Sequence, residues 1–222
     1  MNQNSFITNQ DKLMSEIVKG ILPKTRAIDI LVGYFFFSGY HLLSQCLANK
    51  NIRILVGLEV DKDVSKGIQV ITPMSASNLT LGQLREKYYQ QFVNLVNNSD
   101  FLDNEQKQKS FSLFLSKIKD GTLEVRKTEQ PCHAKMYIFD YDGHNNEGGE
   151  DPGNVITGSS NLSYQGLAGR TEINVRLKDK QTYIDAKKIF EELWENSVSV
   201  IDQSTLSQWE DKVIKHVWYE KL

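Results

Sequence analysis

Two apolar segments with a helix-length stretch between them constrain this chain more than any other feature. Ala27 to Phe37 (Ala-Ile-Asp-Ile-Leu-Val-Gly-Tyr-Phe-Phe-Phe) is rich in β-branched and aromatic residues and reads as a buried strand. A helix is expected from Tyr40 to Asn49 and a second strand from Ile52 to Val60. Strand, helix, strand in that order requires a crossover, so the two strands should lie parallel in a sheet covered by helices. The expected class is therefore α/β, with a mixed, largely parallel sheet flanked by helices on both faces.

The other elements fit one domain over residues 1–222, a length within the range of single mixed domains. Asp11 to Leu22 should be an amphipathic helix, with Leu13, Ile17 and Ile21 on one side and Pro23 ending it. Asp61 to Ser77 reads as a connector. Leu81 to Val96 and Glu105 to Lys119 follow as helices, the second with Phe111, Phe114, Leu115 and Ile118 in a stripe. Leu123 to Lys127 reads as a strand. Further helices are expected from Thr182 to Glu195, with Ile184, Ile189, Phe190, Leu193 and Trp194 inward, and from about Thr205 to Tyr219.

Composition narrows the function classes. A formal charge of −2 and a pI of about 6.1 give no global basic footprint, which counts against a nucleic-acid module working by bulk electrostatics. Met1 to Asn9 carries no basic-then-apolar signal peptide, and the apolar run Ile28 to Phe37 is about half the length that spans a bilayer. Two cysteines are too few for a disulfide framework. The expected location is the cytoplasm, away from membranes. His41, His144 and His216 have no companions at metal-ligand spacing, and there is no Gly-rich nucleotide loop, so no metal or cofactor is expected.

The chemistry concentrates between Cys132 and Glu172. Lys135 to Phe139 reads as a strand followed by the turn Asp140-Tyr141-Asp142-Gly143, and Asn154 to Gly158 as a second strand. Alternation puts His133 and Lys135 on one face and turns Asp140 away from them. If the second strand stays extended, Ser159 and Asn161 also share a face. Glu172, opening a third strand to Leu177, can orient the imidazole. An ammonium, a hydroxyl and an amide supply donors to phosphoryl oxygens, while an imidazole in the right tautomer can attack phosphorus. Leu162 to Leu167 reads as a short helix capped by Asn161, whose N–H groups would favour an anion.

His133-x-Lys135-x4-Asp140, followed by Gly158-Ser159-x-Asn161, resembles the HKD motif of the phospholipase D superfamily. Glu172 falls where single-motif bacterial nucleases of that superfamily carry a glutamate. Gly33-Tyr34-Phe35, Gly39 and Ile52-Arg53-Ile54-Leu55-Val56-Gly57 are similar to the opening of such domains, so the resemblance covers most of the chain. One departure is a longer gap after Asp140, where the polar, Gly-rich piece Gly143 to Gly153 reads as an extended hairpin loop. Tyr34, at a strand end, either lines the pocket or is one more core aromatic.

The resemblance implies phosphodiester cleavage through His133, with Lys135, Ser159 and Asn161 gripping the phosphate, Glu172 holding the imidazole and Asp140 structural. That route needs two imidazoles, and the chain has one motif. Single-motif relatives supply the second from an identical chain, which implies a homodimer with a composite site. A DNA endonuclease is the leading reading. The resemblance extends to domains attached to restriction enzymes and superfamily-two helicases, so a fused or partner helicase is implied and the chain can be the N-terminal part of a longer protein. A lipid phosphodiesterase or phosphatidyl transferase, and a catalytically silent binding module, are the alternatives.

Overall fold

The computed structural model describes residues 5–60, 80, 82–83, 105–142 and 152–203. The expected connector 61–77, all of the helix 81–96 but residues 82–83, the helix 205–219, His144, His216 and most of the loop 143–153 lie outside these. Among the described residues there are eight strands, β1 (Ser5–Ile7), β2 (Thr25–Phe35), β3 (Asn51–Val60), β4 (Leu123–Thr128), β5 (Met136–Tyr141), β6 (Gly153–Gly158), β7 (Asn174–Leu177) and β8 (Ser197–Ile201). They form one sheet in the order β1-β7-β6-β5-β2-β3-β4-β8. The α-helices are α1 (Met14–Ile21), α2 (Phe37–Leu47), α3 (Glu105–Lys119) and α4 (Lys180–Glu195).

The mixed α/β class holds, but the sheet is not largely parallel. Only β2–β3 and β3–β4 are parallel, and every other pairing is antiparallel. Connection chemistry explains the difference. Helical crossovers return a strand in the same direction, as α2 does between β2 and β3. Residues 129–135 contain no helix and cross the end of the sheet, so β5 starts beside the C-terminal end of β2 and must run back along it, Leu31 opposite Met136. β6 and β7 then follow as antiparallel neighbours.

Two apolar layers bury the sheet. On one face, Ile28, Ile30 and Val32 of β2 and Ile54 and Val56 of β3 meet α1, α2 and α3 through Met14, Val18, Leu43, Phe114 and Ile118. On the other, Leu31, Leu55, Ile138 and Val155 meet Ala186, Phe190 and Trp194 of α4. Ile184 and Ile189, expected to face inward, are 45% and 50% exposed. Phe190 and Trp194, also expected inward, are buried against the sheet, and Arg53 of β3 stacks over both rings, 5.0 and 5.2 Å from their centroids.

Arg53 belongs to a half-buried charge cluster that docks α4, its Asp29 side chain 3% exposed and its Glu191 side chain 42%. Its guanidinium bonds Asp29 (2.7 and 2.9 Å) and Glu191 (2.8 and 2.5 Å). Lys187 bridges Asp29 at 2.5 Å and Asp140 at 3.1 Å, and Tyr183 donates to Asp140 at 2.7 Å. Asp140 therefore points away from His133 and Lys135 and holds α4 to the sheet. Among the described residues, no helix is long and apolar enough to cross a membrane.

Candidate active site

Strand direction gathers the chemistry at one end of the sheet. β2 ends there, β5 begins, β6 ends and β7 begins, with Met136 opposite Thr157 and Gly158 opposite Asn174. The residues just before β5 (His133, Lys135), just after β6 (Ser159 to Asn161) and just before β7 (Glu172) therefore converge beside Tyr34. None of the expected site residues lies inside a strand. β5 starts one residue after Lys135, and β6 stops before Ser159.

Side-chain contacts rather than strand alternation place the groups. Cys132 N–H donates to the Gly57 carbonyl at 3.1 Å, and a Cβ on Gly57 would collide with the Cys132 backbone. The glycine thus lets the lead-in to His133 lie flat on β3. Gly33 does the same beneath the functional groups. Around the point where a Cβ on Gly33 would sit, His133 Cδ2 lies at 3.2 Å, Lys135 Nζ at 3.4 Å and Asn161 Oδ1 at 3.5 Å. A glycine inside an apolar strand is the sequence signal for such close approach, and Gly33 is the site position that sequence reasoning left without a role.

Each group has a defined neighbour. Lys135 is 5% exposed, and its Nζ donates to the His133 carbonyl oxygen at 2.6 Å. Burial pushes its pKa below the usual lysine value, while the nearby Glu172 carboxylate and Cys132 act in the opposite direction. Asn161 Oδ1 accepts the Tyr34 backbone N–H at 3.0 Å, which leaves its amide NH2 as a donor. The Tyr34 ring stands edge-on to the His133 imidazole, centroids 6.4 Å apart at 81°. Tyr34 therefore borders the site.

Two expected contacts differ from the structure. Glu172 does not hold the His133 imidazole; its carboxylate accepts the Ser159 hydroxyl proton, and Ser159 Oγ in turn accepts the Ile173 N–H at 3.0 Å. Glu172 precedes β7, and its backbone N–H donates to Thr8 at 3.3 Å, which sets it beside Ser159. Nor does Asn161 cap a helix. The segment after it forms a single π-helical turn, Gln165–Gly169, whose N-cap position, Tyr164, makes no side-chain capping bond, and Ser163 Oγ accepts the Gly166 N–H at 2.9 Å. The Tyr34 N–H, supplied by a distant strand, takes the Asn161 carbonyl first.

Ser160 and Asn174 fasten the two strand ends together. Ser160 N–H donates to Asn174 Oδ1 at 3.2 Å, Asn174 Nδ2 to Ser160 Oγ at 2.8 Å, and Ser160 Oγ to the Gly166 carbonyl at 2.7 Å. Tyr137, wholly buried, donates to the Ser160 carbonyl at 3.1 Å. The loop that carries Ser159 and Asn161 is thus held from both sides. The result is an exposed imidazole and hydroxyl around a buried ammonium, a set suited to an anionic, tetrahedral group.

No curated protein matches the sequence. Among solved structures, the chain is similar to NucT from Helicobacter pylori (13% identity, TM-score 0.46, 89% of this chain and 98% of that one). It is also similar to Nuc from Salmonella typhimurium, a phospholipase D family member (11%, 0.47, 89% and 97%). Phosphatidylserine synthase from Haemophilus influenzae Rd KW20 shows 15% identity and a TM-score of 0.49 over 90% of this chain and 40% of that one. The family model described as cardiolipin synthase, PLD-like domain, matches residues 25–194, and the chain belongs to this family of the phospholipase D superfamily.

Proposed function

We propose that this single domain is a DNA endonuclease that cleaves phosphodiesters through a phosphohistidine, at a site completed by a second copy of the chain. The observation that carries the reading is the convergence of His133, Lys135 and Asn161 on Gly33, with the Ser159–Glu172 pair beside them.

The neutral imidazole of His133 attacks phosphorus, and the bond to the leaving oxygen breaks with its electron pair on oxygen. A proton from the His133 imidazolium of the second copy goes to that oxygen. Water then attacks phosphorus, gives its proton to the now neutral second imidazole, and the P–N bond breaks to restore His133. Lys135 and the Asn161 amide NH2 stabilise the phosphoryl oxygens as charge shifts. Glu172 acts through Ser159, holding its hydroxyl, and its charge favours the protonated form of Lys135. No step uses a metal. A restriction system or a helicase is the setting in which such a domain fits.

Plasmid DNA, single-stranded DNA and phosphatidylcholine vesicles, each incubated with the protein in EDTA, test the reading. DNA nicking that survives chelation and disappears in His133→Ala is expected. Choline release would replace the nuclease with a lipid phosphodiesterase, and DNA retention without cleavage would leave a binding module.

A further inference from the structure

Two aromatic side chains beside the site have no part in the chemistry above. Phe36 follows Tyr34 by two residues, their rings 6.4 Å apart and tilted by 46°, so neither face is spent on stacking with the other. Tyr164 lies three residues after Asn161 and is 51% exposed. Both are mounted on fixed backbone. Phe36 N–H donates to the Leu162 carbonyl at 2.9 Å, and Tyr164 N–H to Ser38 Oγ at 3.1 Å, so the end of β2 and the loop after β6 are clasped together. A ring held this way loses little further freedom on binding.

We infer that Phe36 and Tyr164 form a stacking surface for the bases that flank the scissile phosphate, which selects single-stranded over duplex nucleic acid. This rests on the nucleic-acid reading of the site. The half-buried Phe36 is linked to the site ring by ring: the Tyr34 ring stands 6.4 Å from the His133 imidazole and the Phe36 ring 6.4 Å from Tyr34, while Tyr164 follows Asn161 by three residues. Base faces are open only where a strand is unstacked, and every base has one, so the contact tolerates sequence. Base–aromatic stacking adds to the phosphate contact at Lys135 without needing further positive charge on a chain of net charge −2.

Fluorescence anisotropy at one fixed salt concentration tests this, with every protein, the one wild-type at positions 36 and 164 included, carrying His133→Ala so that the strand is bound and not cut. The quantity read is the affinity for single-stranded oligothymidine divided by that for an abasic strand of equal length and charge. The wild type should prefer the base-bearing strand, and Phe36→Ala and Tyr164→Ala should each lower the ratio about 5-fold or more. Phe36→Tyr should keep it. Tyr164 is exposed, so its replacement keeps the test decisive if Phe36→Ala fails to fold. A wild-type ratio near one, unchanged ratios in the variants, or a ratio preserved while the variants shift the oligomeric state would overturn the inference. Absence of cleavage by the chain that keeps His133, with the ratio intact, would count against the nuclease chemistry alone.

Discussion

The Nζ of Lys135 lies 2.6 Å from the carbonyl oxygen of His133, two residues before it. The cation of the site is thereby tied to the backbone of the residue that carries the imidazole, and a shift of either moves both. Lys135→Met should lower kcat/KM by about 100-fold or more, the usual loss when one donor to a developing oxyanion is removed. Thermal denaturation should show the variant folded, because burial already disfavours the charged lysine.

The same burial sets a pH limit. Lys135 has a folded pKa below its unfolded value of 10.5, so the folded protein gives up this proton first. Between the two pKa values its contribution to stability rises with pH, whereas cleavage falls as the ammonium disappears. A pH–rate profile should show an alkaline limb below 10.5 in a range where unfolding has not begun. Glu172→Gln should move that limb further down, since the carboxylate acts in the opposite direction to burial.

Ser159 and Glu172 act as a unit, so their effects should not add. Ser159→Ala, Glu172→Gln and the double variant should lose similar amounts of kcat, and the coupling energy of the cycle should be on the order of 1 kcal/mol or more. If Glu172 worked by holding His133, the Glu172→Gln change would shift the acidic limb of the profile and Ser159→Ala would not.

The two glycines separate site from scaffold. Gly33→Ala introduces a methyl 3.2–3.5 Å from His133, Lys135 and Asn161, close enough to displace them by a few tenths of an ångström. A folded protein with kcat reduced about 10-fold or more is expected. Gly57→Ala collides with the Cys132 backbone and should abolish soluble expression, read by sedimentation of the lysate.

Removing Arg53 leaves Asp29, whose side chain is 3% exposed, with Lys187 alone. Arg53→Met should cost about 3 kcal/mol in denaturant unfolding, as breaking a buried pair does, with cleavage at 25 °C retained by the folded fraction. Arg53 also holds the Glu191 carboxyl below its ordinary value of 4.5. That contribution is present above the unfolded pKa and is lost as pH falls through the folded one, so the wild type should lose its advantage over Arg53→Met in acid.

Much of this was legible in the chain itself. The run Ala27 to Phe37 is β2 within two residues at each end, and β3 and α3 end where periodicity puts them. The parallel β2–β3 pair follows from the helix between them. Strand direction elsewhere depends on where residues 129–135 travel, which no local pattern encodes. β1 is three residues long, too short for a period to show, while in β8 Val198 and Val200 alternate as a strand's residues do. At the site, residue types were readable and partners were not. Asn161 before an apolar run reads locally as a helix cap, but a backbone N–H from β2, 127 residues away, claims it.

Rapid-quench mass spectrometry of the peptide containing His133, during single-turnover cleavage of a phosphodiester oligonucleotide in EDTA, tests the central claim most directly. An acid-labile phosphoryl adduct on His133 that forms and decays within the turnover, and is absent from Lys135→Met, is expected. Cleavage that proceeds with no adduct on His133, or at full rate in His133→Ala, would contradict the account.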